Sequence, residues 1–413
     1  MSASVYAVGV DWAGEKHDVC VLDQEGRLIL ERTFDETLEG FSEFGRLLDE
    51  WSLQGVQLVA SIEKPEGLII DLLVDHNVKV YPMNPKSLKD ARKMHRPSGA
   101  RDDRFDAFVL ADFVRTHHQT LRAIEPNTPL MAELKILTRD RHQQVRHRSR
   151  LLTQLRSDLK TFYLRPLEAF DDLKTPIFRD FLKLCQTPQD LEKLTRARWL
   201  RFAKRHRLTK TRTDELWQQL KTPQLPVPEH VTRAKAVSVH ALLRQLEVVL
   251  ETIEDYRKAI ELFFDSLPVA EMARSLPGGQ SGITVPSLWA ELGDGKGRWE
   301  SFRHLQATAG SVPLTNNTGK TKQHAIFFRF ACNKRLRYYA DWLAYFSLSQ
   351  SEWAKDYYDQ QKARGKTHRR ALRALAAKWL KIIFVMWRDQ VPYDENLHLA
   401  NIYRQTKKLQ VST

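Results

Sequence analysis

The chain has 413 residues and a formal net charge of +14, from 65 Lys and Arg against 51 Asp and Glu. Its 42% hydrophobic content is enough for two or three cored domains, and no run approaches the ~20 apolar residues of a membrane span. The three scattered cysteines, Cys20, Cys185 and Cys332, exclude a disulfide framework or a cysteine zinc knuckle and suit a reducing cytoplasm. The start, MSASVYAVGVD, lacks the basic-then-apolar order of a secretion signal.

Charge is unevenly spread. Residues 1–75 hold 5 Lys or Arg against 16 Asp or Glu, a balance of −11, which leaves 60 against 35, or +25, for residues 76–413. A basic body attracts a polyanion by releasing its counterions, so nucleic acid is the expected partner, and the acidic start is a candidate metal-binding centre.

In chain order, VYAVGVD (5–11), HDVCVLD (17–23) and RLILERTF (27–34) read as three short strands, with links tight enough for antiparallel neighbours. An amphipathic helix is expected over 37–52, a strand over 56–63, a helix through GLIIDLLVD, a strand over 78–84 and a strong helix over 102–118. Three leading strands followed by β-α-β-α is the order of an α/β ribonuclease-H-like, or RuvC-like, nuclease fold.

From about 129 to 265 the chain is helical and basic. Leu152, Leu155, Leu159 and Phe162 step by helical intervals, and Leu242, Leu246, Val249, Ile253, Tyr256, Ile260 and Phe263 alternate by 4 and 3, the seam of a coiled coil. Such a seam serves either a dimerising coil or a helix packed on its own domain. The proline-rich KTPQLPVPEHV (221–231) allows an antiparallel return. Arg139, Arg141, Arg146, Arg148 and Arg150 are candidate phosphate contacts. From LPGGQSGIT (276–284) a small, mainly helical domain is expected, its glycines forming a helix-hairpin-helix-like turn that offers N–H groups to phosphate.

Asp11 and Glu63 end the first and fourth strands, where neighbouring strand ends can share one rim. Asp103 and Asp106 are three apart on one helix face. Four converging carboxylates repel unless a hard cation neutralises them, and two such ions suit in-line phosphoryl displacement. Asp102, which adjoins Asp103, competes for the same role, and spacing leaves the choice open. The 14 histidines show no metal-ligand spacing such as HExxH, so no zinc is assigned.

GVDWAGEKHDVCVLD, IEKPEG and RDDRFDAFVLADF together resemble the N-terminal domain of IS110-family transposases. The resemblance continues into LPGGQSGITVPSLWAELGD, FRHLQATAGSVPLT and FRFACNKRLR, and covers nearly the whole chain. It implies a RuvC-like catalytic domain over 1–120, a helical coiled-coil region over 121–268 and a C-terminal transposase domain over 269–413. Matched to the family's K-T-D-x-x-D-A pattern, Arg101 takes the lysine position, Asp102 the threonine, and Asp103 and Asp106 the aspartates. The implied metal set is Asp11, Glu63, Asp103 and Asp106 with Mg²⁺ or Mn²⁺.

The family's serine nucleophile precedes a glycine after an A-G-x-x-P element. Here that element is AGSVP (309–313) and the dipeptide is Thr318-Gly319, so the expected serine is a threonine. Ser311 lies inside AGSVP and is a poor substitute. Around Thr318 the basic residues Lys320, Lys322, Arg329, Lys334, Arg335 and Arg337, with Arg101 and Arg104 beside the acids, are the candidate nucleic-acid contacts. The resemblance further implies donor and target DNA and an element-encoded guide RNA; a homodimer or homotetramer is the hypothesis that the heptad seam motivates, and a cytoplasmic, nucleoid-associated enzyme is expected. Two rivals remain: a RuvC-like nuclease or junction resolvase using water, and an inactive nucleic-acid-binding descendant.

Overall fold

The computed structural model describes residues 4–65, 67–96, 102–280, 282–295, 297–312, 314–316, 325–327, 329 and 332–401. Contacts divide the chain into two compact units, residues 1–128 with 293–333, and residues 129–292 with 334–413.

The first unit opens with β1 (Val5–Trp12), β2 (Lys16–Leu22), β3 (Leu28–Asp35), α1 (Leu38–Leu53), β4 (Gln57–Ile62), α2 (Leu68–Asp75), β5 (Lys79–Pro82), α3 (Pro85–His95) and α4 (Asp103–His117). The strands form one sheet in the order β3-β2-β1-β4-β5. β1, β2 and β3 are antiparallel neighbours, whereas β4 and β5 run parallel to β1. This mixed sheet is the one expected for a ribonuclease-H-like domain.

Strand alternation decides what each face holds. The even residues of β1, Val8 and Val10, join Val19, Val21, Ala60 and Ile62 in a core closed by Phe44 and Leu48 of α1 and Ile69 and Leu73 of α2. The odd residues face α4. Ala7 packs with Val59 and Val114, and Gly9, paired with Cys20 and Ser61, lies under Ala107 and Ala111. Asp11 continues that parity toward the end of β1.

Two caps set the helices in place. Thr37 accepts a hydrogen bond from the Gly40 amide at the start of α1, and Asp102 accepts from the Arg104 amide at the start of α4. Asp102 is thereby the N-cap of α4, with Asp103 and Asp106 following in its first turn.

The second unit is helical. It holds α5 (Pro129–Phe162), the short helices α6 (Arg165–Ala169), α7 (Pro176–Leu184), α8 (Pro188–Glu192), α9 (Arg196–Arg205) and α10 (Lys210–Lys221), then α11 (Glu229–Asp265), α12 (Ala270–Arg274) and α13 (Thr284–Leu292). Asp158, late in α5, accepts hydrogen bonds from Lys235 and Ser238, early in α11, so the two long helices run antiparallel. Leu242, Leu246, Val249 and Ile253 of the heptad seam are buried in one cluster with Leu151, Leu155, Leu159 and Phe162 of α5, and with Phe178, Phe181 and Trp199 of the short helices. These four seam residues therefore meet their partners within the same chain.

The remaining segment of the first unit carries α14 (Phe302–Thr308) and the paired strands β6 (Leu314–Asn316) and β7 (Ala325–Phe327). It is tied to the end of the sheet domain by Arg122 on Glu300 and His304, and by Thr128 on Asp294. Helices α15 (Lys334–Ser347), α16 (Glu352–Ala363) and α17 (His368–Asp389) complete the second unit. Among the described residues no helix is long and apolar enough to cross a membrane.

Candidate active site

Asp11 is held in β1 directly opposite Asp18 of β2, on the face that α4 covers. Burial is the main cause that pushes its carboxyl up to about 7, followed by the charges of Asp106 and Asp103, with a smaller push from Glu63; Arg92 pulls the other way. Three of the four expected acids thus act on the fourth. Glu63 follows β4 immediately, beside the strand that pairs with β1.

The four acids are unequally exposed. Asp103 faces solvent, Glu63 and Asp11 are half-buried, and Asp106 is only 7% exposed. A carboxylate so buried needs a counter-charge. Arg92 of α3 supplies it, with Nε and Nη2 donating to the two Asp106 oxygens in a bidentate pair. In this arrangement no three His, Cys, Asp or Glu among the described residues stand close enough to hold a metal ion.

The donor chemistry nevertheless suits a hard cation. Every group gathered here is an oxygen donor, and a crowded, partly buried carboxylate such as Asp11 is relieved by a divalent positive charge.

Sequence reasoning missed Arg92, which sits among the basic residues of KDARKMH with nothing to single it out. It also missed Asp18, which is buried and accepts from Thr33 Oγ1 at 2.5 Å. The pairing of Asp18 with Asp11 follows from strand register, so alternation in HDVCVLD was the available signal. Arg104 is exposed and lies 3.8 Å from Glu31, a loose surface pair.

Thr318, Lys320, Lys322 and Arg101 lie outside the described residues. Ser311 is buried and its hydroxyl donates to the Gln306 carbonyl, as a turn serine does. Arg329 is half-buried, with its Nε lacking a hydrogen-bond partner. Lys334, Arg335 and Arg337 open α15 in the other unit. The glycine turn expected to offer amides to phosphate uses them internally. Gly278 N–H donates to the Gln350 side chain, Gly279 N–H to the Leu276 carbonyl, and Gly282 N–H to Glu261.

Residues 8–164 match the IS110-type DEDD family model, described as Transposase. The mini-circle putative transposase for IS117 of Streptomyces coelicolor is 29% identical over 403 residues, spanning 95% of this chain and 96% of that protein. The putative transposase y4uE of Sinorhizobium fredii is 32% identical over 202 residues, spanning 48% of this chain and 56% of that protein. T. thermophilus RuvC, solved in complex with a Holliday junction substrate, aligns with 30% of this chain and 99% of its own at 12% identity, with a TM-score of 0.23.

The chain is a DNA transposase. Within that class its residues 8–164 match the IS110-type family, and its similarity to the IS117 mini-circle putative transposase runs along 95% of the chain.

Proposed function

We propose that this transposase cuts and rejoins DNA strands through a covalent intermediate on Thr318, with Asp11, Glu63, Asp103 and Asp106 as ligands of Mg²⁺ or Mn²⁺. The observation that supports it best is the set of charges acting on Asp11, in which Asp106, Asp103 and Glu63 all take part. Bound divalent ions would polarise the scissile phosphate and neutralise charge developing on it.

Asp11 and Glu63, on neighbouring strands, would hold one side of that site, and Asp103 and Asp106 the other. Asp106 would exchange Arg92 for the ion. A bond forms between Thr318 Oγ and phosphorus as the bond to the leaving sugar oxygen breaks; the hydroxyl proton leaves to solvent and the sugar oxygen takes one up. The phosphodiester energy is conserved, so rejoining requires no ATP. The methyl of Thr318 restricts its rotamers and slows the attack relative to a serine.

Basic residues including Arg101, Arg104, Lys320, Lys322, Arg329, Lys334, Arg335 and Arg337 would contact nucleic acid. An element-encoded RNA would select the target, and a dimer or tetramer would assemble the reaction. The domain reading of 1–120, 121–268 and 269–413 belongs to the same proposal. Burial of Leu242, Leu246, Val249 and Ile253 within one chain means that assembly draws no support from that part of the heptad seam.

The test is a cleavage assay on donor DNA with Mg²⁺, followed by denaturing electrophoresis. A protein–DNA adduct that disappears in Thr318→Ala supports the covalent route. The replacement of the family's serine by threonine favours one second reading, a nuclease that activates water. Free cleaved ends that survive Thr318→Ala would establish it.

A further inference from the structure

Helix α15 carries a row of large rings that the fold leaves open. Tyr338, Trp342, Tyr345 and Phe346 are each 38–47% exposed. Their spacing puts them on one side of the helix, over about 12 Å of its axis. Trp342 stacks on Phe346 with centroids 5.4 Å apart and planes 26° apart, and Tyr338 and Tyr345 meet Trp342 edge-on at 6.2 and 5.6 Å. The opposite side of α15, including Leu336, Leu343 and Ala344, is buried and already anchors the helix.

Positive charge adjoins this row. His142 of α5 meets the Tyr338 ring edge-on at 5.4 Å, and burial first, then Arg335, Arg146 and Arg141, keeps that histidine below its ordinary pKa. Arg148 adds to the positive field at Arg141. The Nε atoms of Arg141 and Arg148 are buried without a hydrogen-bond partner. Asp341, the acid within α15, is bound by Arg373 and so does not offset them.

Rings open for stacking beside an excess of guanidinium charge match the chemistry of an unpaired nucleic-acid strand, whose bases stack while its phosphates take the cations. A duplex keeps its base faces covered. The row is as long as about three stacked bases. We propose that the exposed face of α15, with Arg141, Arg146 and Arg148 of α5, binds unpaired DNA. The inference rests on the reading that this chain cuts DNA strands, since cutting exposes single-stranded ends.

The test measures fluorescence anisotropy of a labelled thymidine 12-mer and of a duplex of equal length, with the full chain in EDTA. Trp342→Ala and Phe346→Ala should each weaken binding of the single strand by about fivefold or more while sparing the duplex, and Trp342→Tyr should retain most of the affinity. Arg146→Ala should lower the slope of log affinity against log salt by roughly 0.7, whereas the ring variants leave it unchanged. Thermal melts followed by circular dichroism confirm that each variant is folded, with Tyr345→Ala as a further ring variant.

Wild-type affinity in the ring variants would overturn the proposal, as would equal losses on single strand and duplex. Tighter binding of a uridine 12-mer would assign the face to RNA instead. Loss of an oligomer in sedimentation velocity would assign it to a second copy of the chain. Thr318→Ala separates the two readings: if the covalent chemistry fails but this site stands, that variant cleaves normally while the ring variants still lose the thymidine strand.

Discussion

Gly9 of β1 lies against the backbone of Ala107 in α4. A Cβ built on Gly9 would come 1.9 Å from the Ala107 carbonyl oxygen and 2.4 Å from the Ala111 amide nitrogen. Only glycine permits that approach, and the approach brings Asp106, one residue before Ala107, over the sheet face that carries Asp11.

Gly9→Ala must therefore lift α4 from the sheet. Overpacking of this kind costs about 1–3 kcal/mol, and rigid backbone on both sides points to the upper end. Urea unfolding should show the loss. Stabilisation by Mg²⁺ in a thermal melt should fall with it, because Asp106 moves with the helix. Unchanged urea and Mg²⁺ responses would remove the close approach as the device that aligns the acids.

Asp106→Asn and Asp11→Asn should act on metal-free stability in opposite directions. The first leaves Arg92 without its counter-charge, with the Arg92 side chain 20% and the Asp106 side chain 9% exposed. Removing one partner of a buried pair costs about 3–5 kcal/mol, and the partial exposure of Arg92 places the expectation near the lower figure. The second removes one of several crowded carboxylates, so stability in EDTA should hold or rise. Both variants should lose the Mg²⁺-dependent rise in melting temperature and all cleavage. Denaturant titration with and without Mg²⁺ measures each part.

The helical unit has its own pH dependence at Asp158. Burial pushes this carboxyl up, but hydrogen bonds from Lys235 and Ser238 and the Lys235 charge outweigh it, leaving the group below its ordinary value. The bound form is the ionised one. Its contribution is complete above the ordinary carboxylate range, near pH 4, and is lost as pH falls through the lowered native value. Asp158→Asn should flatten the acid side of the stability profile, followed by circular dichroism between about pH 2 and 5.

Leu246→Ala tests where the heptad seam is satisfied. Leu246 is fully buried among residues of α5 and α11, so the variant should lose about 2–5 kcal/mol. The melting temperature of wild type and variant should be independent of protein concentration to the extent that the seam is intramolecular. A loss that grows on dilution would instead place a second chain at this seam.

Much of the sheet unit was legible in the residues themselves. Strand alternation in VYAVGVDW and QLVASI gives both the hydrophobic core and the face on which Asp11 emerges, because a strand's two-residue period is a local property. The helix over Asp103–His117 and its acidic first turn were likewise local, though the N-cap role of Asp102 was settled only by its backbone geometry and its bond to the Arg104 amide. The heptad of α11 announced an apolar seam without naming what would fill it.

Sequence alone determined the five strands of the sheet, the helices α1, α2 and α4, and which acids emerge where strands or helices end, since those depend on period, capping and spacing along a few residues. Tertiary structure decided that Arg92 neutralises Asp106, that α5 fills the α11 seam, and that residues 293–333 group with the sheet rather than with the helices that flank them. It also decided that Gly278, Gly279 and Gly282 direct their amides to partners inside the protein. Those choices join groups far apart in the chain. Each turns on which distant group removes a buried charge, an apolar face or an unpaired amide from water, a competition that no short stretch of sequence contains.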